Sequence, residues 1–222
     1  MKHEYYKAYD ERYKVIHQQG VTWSSNQSTP IVLDLLQKYD IRRDMYVLEI
    51  GCGEGRDAKA VLDQNFSLLA TDISPEAIRY CQSNMPQYKD HFQVVDCLSD
   101  TLDKRFDFIY AVAVVHMLVL DNHRDGFYQF IKEHLTPDGF ALICTMGDGN
   151  TEMQSDITQA FTPQKRDHES GAIWVASTSC RMISFKTFKN ELQRNGLRLL
   201  ESGITTSLPD FNSLMYAVVK KS

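Results

Sequence analysis

The chain has 222 residues, of which 43% are hydrophobic and 24% charged, and its formal net charge is −5. This composition excludes a disordered or fibrous protein and is typical of a globular protein with one sizeable core. The acidic balance gives no overall electrostatic attraction to nucleic acid or to an anionic membrane. Five widely spaced cysteines without a CxxC pair indicate reduced thiols, so we expect a cytoplasmic protein that holds no metal.

Two helices are predicted before the first strand. Tyr5, Tyr9 and Tyr13 recur at four-residue spacing, which predicts a helix whose aromatic face serves packing more than it serves as a lid. Thr29 followed by Pro30 predicts the capped start of a second helix. The loop between the two helices contains Trp23, whose ring either closes over a ligand or anchors the first helix.

From residue 45 onward, strands and helices alternate. The predicted strands are 45–50, 67–73, 92–96, 106–112 and 140–146, and the predicted helices are 55–64, 75–84 and one through 127–135. A turn is predicted at "TPDG" (136–139), and residues 147–180 are predicted to be irregular. A last helix begins after Ser184 and stops at Gly196, and two strands follow at 197–204 and 213–220.

The strand pattern predicts the fold class. Near-continuously apolar strands that alternate with helices form a mostly parallel sheet covered by helices on both faces. The connection between the last two strands is too short for a parallel crossover, so the last strand should be antiparallel. We therefore predict an α/β fold with a Rossmann-like seven-stranded sheet, parallel except at its last strand.

Three alternating glycines follow the first predicted strand: Gly51, Gly53 and Gly55. Ligands of parallel sheets bind beyond the carboxyl ends of the strands, so we expect these glycines to leave space for a ligand beside the main chain. The register differs from the dinucleotide motif GxGxxG, because Arg56 stands where that motif has its third glycine. Glu49 would also repel a pyrophosphate, and it suits a cationic ligand better.

Two further carboxylates end the next strands. Asp72 ends the second strand, where it can accept hydrogen bonds from both hydroxyls of a ribose. Asp96 ends the third strand, where it can accept a hydrogen bond from the exocyclic amine of an adenine. The three acids together predict an adenosine ligand that carries a positive centre and no phosphates.

These motifs resemble those of class I S-adenosylmethionine-dependent methyltransferases. "VLEIGCGEG" (47–55), "LLATDIS" (68–74), "VVDC" (94–97), "FDFIYAVAVVHML" (106–118) and "LTPDGFALIC" (135–144) stand in the order of the family's motifs. An antiparallel last strand between the fifth and sixth is also the family's topology. "GCGEGRDA" with an upstream tryptophan loop is similar to the small-molecule branch that includes tellurite- and thiopurine-type enzymes.

The resemblance implies S-adenosyl-L-methionine as cofactor and S-adenosyl-L-homocysteine as product. The cofactor-binding residues that it implies are Trp23, Glu49, Gly51, Cys52, Gly53, Gly55, Arg56, Asp72, Ile73, Asp96, Cys97, Ala111 and Val112. Within this set, Glu49 and Arg56 would face the amino and carboxylate groups of the methionine. Ala111 and Val112 would line the sulfonium side.

The same resemblance suggests how the chain is organised. We expect one methyltransferase domain over residues 1–222. Its parts are an N-terminal helical cap (1–40), a cofactor-binding core (41–146), a variable substrate-side insert (147–183) and a last helix with two strands (184–222).

Methyl transfer from a sulfonium needs no protein nucleophile, and it needs a base only if the acceptor must lose a proton. His116 is the candidate catalytic base, and an interior histidine bonded to a backbone carbonyl is the alternative. The NPPY or DPPY motif for methylation of amino groups is absent at 111–114. We therefore expect a small-molecule acceptor, no nucleic-acid or membrane partner, and a monomer or homodimer.

Three other functions stay open on the sequence. A catalytically silent S-adenosylmethionine-binding protein or partner subunit would keep the motifs without turnover. An aminopropyl or carboxymethyl transferase would use a modified cofactor on the same fold. A nicotinamide dehydrogenase is disfavoured by the register of the glycines. A turnover assay separates the first from the main prediction, and cofactor binding separates the other two.

Overall fold

The computed structural model describes residues 4–25, 27–168, 170–205 and 213–222. The α-helices are α1 (Ala8–Gln18), α2 (Pro30–Lys38), α3 (Arg56–Leu62), α4 (Pro75–Asn84), α5 (Asp121–His134) and α6 (Phe185–Arg194). The strands are β1 (Tyr46–Ile50), β2 (Ser67–Asp72), β3 (Phe92–Val94), β4 (Phe106–Val112), β5 (Leu135–Met146), β6 (Met153–Gln154), β7 (Pro163–Arg166), β8 (Ile173–Ala176), β9 (Arg181–Met182), β10 (Leu197–Thr205) and β11 (Leu214–Lys221). Short 3-10 helices cover Tyr5–Lys7, Pro86–His91, Val115–Met117 and Ile157–Gln159.

The main sheet has seven strands in the order β10-β11-β5-β4-β1-β2-β3. Strands β1 to β5 pair in parallel, as in the register of Leu48 with Leu69 on one side and with Ile109 on the other. Strand β11 lies between β5 and β10 and runs antiparallel to both. The predicted α/β fold with an antiparallel last strand is confirmed.

Two apolar cores lie on the two faces of this sheet. Successive side chains of a strand point to opposite faces. In β1, Val47 accordingly packs in one core with Leu35 of α2 and Val61 of α3, whereas Leu48 packs in the other core with Ile131 of α5. Because both faces are buried, the strands need apolar residues at nearly every position, which is why the sequence pattern identified them.

The prediction that a turn at 136–139 separates the helix from the next strand is wrong, because β5 begins at Leu135 directly after α5. The pairing between β4 and β5 shifts from Phe106–Leu135 to Phe108–Phe140, so residues 136–139 form a bulge within the strand. A Cβ atom at Gly139 would lie 2.9 Å from the carbonyl oxygen of Phe106. Glycine is required there because the bulge folds closely onto β4.

The segment 147–180, predicted as irregular, contains most of two small antiparallel sheets. Strands β7 and β8 form a hairpin, and β6 pairs with β9. In β8, Ile173 and Val175 are buried, whereas Trp174 between them is 63% exposed. This alternation is that of a half-buried strand, but it extends over only four residues and was too short to be distinguished from a loop.

Helix α1 attaches the N-terminal part of the chain to the rest of the fold. Its Ile16 packs in a small apolar cluster with Ile173 and Val175 of β8. In the 3-10 helix before α1, the hydroxyl of Tyr5 accepts hydrogen bonds from the backbone N–H groups of Val119 and Leu120. The N-terminal segment therefore contacts both the hairpin, through α1, and the segment before α5, through Tyr5. Over the described ranges, no helix is long and apolar enough to cross a membrane.

Candidate functional site

A cavity of about 1030 Å³ opens at the carboxyl ends of β1, β2 and β4. The chain crosses from one side of the sheet to the other between β1 and β4, which is where parallel sheets bind ligands. The sequence-predicted residues that line the cavity are Trp23, Glu49, Gly51, Cys52, Gly53, Arg56, Asp72, Ile73, Asp96, Cys97, Val112 and His116. Gly55 and Ala111 are not among the lining residues.

The turn that contains Gly51, Gly53 and Gly55, called the glycine turn below, is held against β2 by hydrogen bonds of its own backbone. The N–H groups of Gly51 and Cys52 both donate to the carbonyl oxygen of Thr71, at 2.7 and 2.8 Å. Gly51 and Gly53 have φ angles of +74° and +53°, a region that residues with a side chain rarely adopt. The turn is thus bent sharply enough to present its main chain to the cavity.

The side-chain positions of these glycines are occupied by protein groups, which differs from our expectation of ligand space. A Cβ at Gly51 would clash with a methyl group of Val114, and a Cβ at Gly53 would lie 2.7 Å from the hydroxyl of Tyr13. At Gly55 a Cβ would meet Met85 and Cys81 of the next layer. The glycines therefore allow close protein packing around a turn whose backbone still lines the cavity.

This packing predicts the outcome of a double-mutant cycle. We expect Gly53→Ala to destabilise the fold, because of the contact with Tyr13 and a left-handed φ worth about 1–2 kcal/mol. In Gly53→Ala/Tyr13→Phe the nearest remaining atom is the ring Cζ at 3.7 Å, an ordinary contact. The double variant should recover at least about 1 kcal/mol relative to the sum of the single variants, measured by urea unfolding. Additive losses would show that Tyr13 does not restrict this position.

Asp72 lies at the end of β2 beside the glycine turn. One carboxylate oxygen accepts the N–H of Gly53 and the other accepts the N–H of Ser74, each at 2.8 Å. Burial raises the pKa of Asp72 to about 6, although the two backbone donors oppose the shift. A carboxylate offers about four acceptor positions, so both oxygens can still accept further hydrogen bonds.

Glu49 lies deeper in the same site. Its carboxyl accepts a hydrogen bond of 3.0 Å from the hydroxyl of Tyr110. Burial and the neighbouring Asp57 raise the pKa of Glu49 well above its usual range, while Tyr110 and Arg56 oppose this. The adjacent Asp57 accepts hydrogen bonds from the backbone and the hydroxyl of Thr29. The Thr29 side chain thus makes no capping bond to α2; it binds Asp57 instead.

The adenine-side prediction concerns Ile73, Asp96 and Cys97, all of which line the cavity. Asp96 accepts the N–H of Leu98 at 3.0 Å and the hydroxyl of Tyr6 at 3.4 Å. Burial raises the pKa of the Cys97 thiol to about 12, so this cysteine is not a thiolate nucleophile at neutral pH.

Glu54 was not singled out in the sequence, yet it fixes the loop that carries Trp23. Its carboxylate accepts the N–H groups of Trp23 and Ser24, the Ser24 hydroxyl and a nitrogen of His17. Burial alone would raise the pKa of Glu54, but these donors outweigh it and lower the pKa. An acid between two turn glycines resembles a solvated residue, so the sequence carried no signal for this contact.

The aromatic face of the N-terminal segment is divided between packing and the cavity. Tyr5 is 2% exposed and packs as predicted, whereas Tyr6, Tyr9 and Tyr13 line the cavity. Trp23 lines it from the loop after α1 and stacks against His168, with ring centroids 6.2 Å apart. The N-terminal part of the chain therefore forms one wall of the cavity.

His116 lines the cavity from the 3-10 helix after β4. Burial, with a smaller contribution from Arg124, lowers the pKa of His116 to about 4. The imidazole is therefore neutral at pH 7 and can accept a proton only weakly. Its catalytic role stays a prediction, and this environment favours a positioning contact over proton removal.

The sheet order, the glycine turn and the acid at the end of β2 together define the fold of class I S-adenosylmethionine-dependent methyltransferases. The sequence model of the family described as "Methyltransferase domain" matches residues 48–141. The matched part of the chain contains the glycine turn, Asp72, Asp96 and His116.

Comparisons with individual proteins agree with this fold. Malonyl-[acyl-carrier protein] O-methyltransferase of Acetivibrio thermocellus is 25% identical over 118 residues, which are 52% of this chain and 40% of that protein. The structure of 1,6-didemethyltoxoflavin-N1-methyltransferase of Burkholderia thailandensis covers 100% of this chain and 91% of its own, with 16% identity and a TM-score of 0.72. A TehB-like methyltransferase of Corynebacterium glutamicum covers 98% of both chains, with 20% identity and a TM-score of 0.59. The chain spans less than half the length of the curated relatives it matches.

Proposed function

We propose that this protein transfers a methyl group from S-adenosyl-L-methionine to a small-molecule acceptor. The observation that carries the proposal is the Asp72 carboxylate beside the glycine turn, at the edge of a cavity of about 1030 Å³. Structures of similar fold were solved with S-adenosylmethionine or S-adenosylhomocysteine bound, and one of them also holds the small molecule 1,6-didemethyltoxoflavin. The alternative, a catalytically silent S-adenosylmethionine-binding protein or partner subunit, has no comparable support.

The residues of the site fit this cofactor. Asp72 has acceptor positions left for two ribose hydroxyls. Asp96 and Ile73, which line the cavity, would contact the adenine, and Glu49 and Arg56, which also line it, would bind the methionine end. When bound, S-adenosylmethionine supplies a methyl group already activated by its sulfonium. The chain's task is to hold an acceptor in line and exclude water, which can supply about 7–11 kcal/mol of the barrier.

The experiment that tests the function is calorimetric titration with S-adenosylmethionine, S-adenosylhomocysteine and NADH, followed by a turnover assay with small thiols, amines and phenols. Micromolar binding of the two sulfur nucleosides and no binding of NADH is expected. Folded protein that binds neither nucleoside would contradict the proposal. Binding without turnover for any acceptor would instead favour the silent alternative.

The raised pKa of Asp72 predicts a pH dependence of cofactor binding. Hydroxyl donors prefer the ionised carboxylate, so the affinity for S-adenosylhomocysteine should rise from pH 5 to 7 and level off above about 6, the pKa of Asp72. Below that pKa, each pH unit weakens binding by up to about tenfold. The dependence should be absent in Asp72→Asn, which separates it from other acids of the site.

The stability of the ligand-free protein should depend on pH in the opposite direction to the affinity for the cofactor. The pKa of Asp72 is about 6 in the fold, against 3.8 for an unperturbed aspartate, so the folded state binds the proton more tightly. The contribution of Asp72 to the free energy of unfolding is complete below about pH 4 and is lost as the pH rises through about 6. Urea unfolding of wild type and Asp72→Asn across this range measures the difference.

A further inference from the structure

Arg12 of α1 is a buried cation in the wall of the cavity, and the proposed cofactor does not account for it. Arg12 is only 1% exposed to solvent. Its Nη2 atom donates to the carbonyl oxygen of Ala176 at 2.9 Å and to the hydroxyl of Thr178 at 3.1 Å. The guanidinium carbon lies 4.7 Å from the ring centre of Tyr9 and 4.4 Å from that of Trp23. The group is therefore held rigidly in one position.

The charge of Arg12 has no acidic partner within the described part of the chain. Among those residues, no carboxylate lies within ion-pair distance of Arg12, and its Nε atom is buried without a hydrogen-bond partner. Burial lowers the pKa of Arg12. The neighbouring Tyr9 and Tyr13 hydroxyls oppose this shift, whereas the nearby Arg166 adds to it, and the pKa stays below its usual value. A buried guanidinium is normally paired with an anion, because desolvation is unfavourable otherwise.

The charged side chains that line the cavity come from several elements. Its carboxylates come from the glycine turn, the start of α3 and the ends of the strands: Glu49, Glu54, Asp57, Asp72 and Asp96. The exposed Asp167 follows β7, and the cation Arg56 lies beside Asp57 at the start of α3. Arg12 and Arg166 contribute positive charge from α1 and β7. Apolar side chains of Trp23, Met117 and Leu118 also line the cavity.

We propose that Arg12, assisted by the exposed Arg166, binds a carboxylate of the acceptor substrate. This inference rests on the proposed function, since it concerns the acceptor end of the same cavity. One buried guanidinium matches a single negative charge, and the aromatic and apolar walls match an apolar body. The acceptor is accordingly a small organic acid with an aromatic or otherwise apolar skeleton.

The test uses protein saturated with S-adenosylhomocysteine and three pairs of probes: benzoate and benzamide, cinnamate and cinnamamide, indole-3-acetate and indole-3-acetamide. Calorimetry should give at least one carboxylate that binds about tenfold or more tightly than its amide. Arg12→Gln should abolish that preference and change the affinity for S-adenosylhomocysteine less than about threefold. Arg198→Gln, which removes an exposed arginine of β10, is the matched control and should retain the preference.

Several outcomes would overturn the inference. They are equal binding of acid and amide in all three pairs, a preference that persists in Arg12→Gln, or an equal loss of S-adenosylhomocysteine binding in that variant. If Arg12→Gln does not fold, Arg166→Gln decides: the proposal requires weaker carboxylate binding at an unchanged melting temperature. A wild type that binds no S-adenosylhomocysteine would contradict the proposed function. The probe series is also measured without cofactor, so that the two failures are distinguished.

Discussion

Replacement of Asp72 by asparagine is expected to weaken binding of S-adenosylhomocysteine by about 100-fold or more at pH 7.5. Hydrogen bonds to a charged group contribute about 1.5–3 kcal/mol each, and two ribose hydroxyls would lose this partner. An amide also cannot accept at both of its polar atoms, so either Gly53 or Ser74 loses the acceptor that it has in the wild type. Calorimetric titration measures the affinity directly.

Asp63→Asn provides the matched control, because Asp63 is an exposed carboxylate just after α3. Its affinity for S-adenosylhomocysteine should equal that of the wild type. Thermal unfolding of each variant without ligand separates a binding defect from loss of the fold. An Asp72→Asn protein that melts normally and binds the nucleoside as tightly as the wild type would remove the basis of the proposed cofactor site.

Replacement of Glu191 by alanine is expected to give the largest loss of stability, about 3–5 kcal/mol in the free energy of unfolding. Glu191 accepts two hydrogen bonds from Arg124, at 2.8 and 2.7 Å, and one of 2.7 Å from Tyr128. The two charged side chains are 0% and 1% exposed. Loss of the carboxylate leaves the Arg124 cation buried beside a vacated space.

Two further variants make this prediction specific. Arg124→Met/Glu191→Leu should be more stable than Glu191→Ala by at least about 1 kcal/mol, because no charge remains unpaired. Lys59→Gln, which breaks the exposed pair of Lys59 with Asp63, should change the stability by less than about 0.5 kcal/mol. Similar losses in Glu191→Ala and Lys59→Gln, measured by urea unfolding, would contradict the role of burial.

This ion pair also bears on the site. Arg124 donates through Nη1 to the carbonyl oxygens of Val115 and Leu118, at 2.7 and 3.2 Å. Those residues flank His116 in the 3-10 helix that lines the cavity. The pair between α5 and α6 therefore holds the segment that positions the candidate histidine.

The parts of the fold that the sequence predicted are those set by short-range chemistry. Val47 and Leu48 belong to a strand that is apolar except for Glu49, and Ser74 caps α4 through the N–H of Ala77, so pattern and capping rules found both elements. The acids at the strand ends followed from the topology, because parallel strands bring their carboxyl ends to one edge.

The remainder depends on contacts between distant parts of the chain, and no local pattern reports such contacts. Glu54 binds residues 30 and 31 positions away, and Arg12 binds Ala176, 164 positions away. Part of the need for glycine at position 53 comes from Tyr13, a residue whose four-residue spacing predicted a helix face that serves packing more than it serves as a lid. The bulge at 136–139 likewise depends on where β4 lies.

The position of β11 between β5 and β10 has a consequence for synthesis on the ribosome. Strand β10 emerges before the strand that joins it to the sheet, and β5 keeps an open edge until residues 214–221 follow. An open edge offers unpaired N–H and C=O groups to any other extended chain. A nascent chain that stalls before residue 213 would therefore be prone to aggregate, although β1 to β5 of its sheet are already complete.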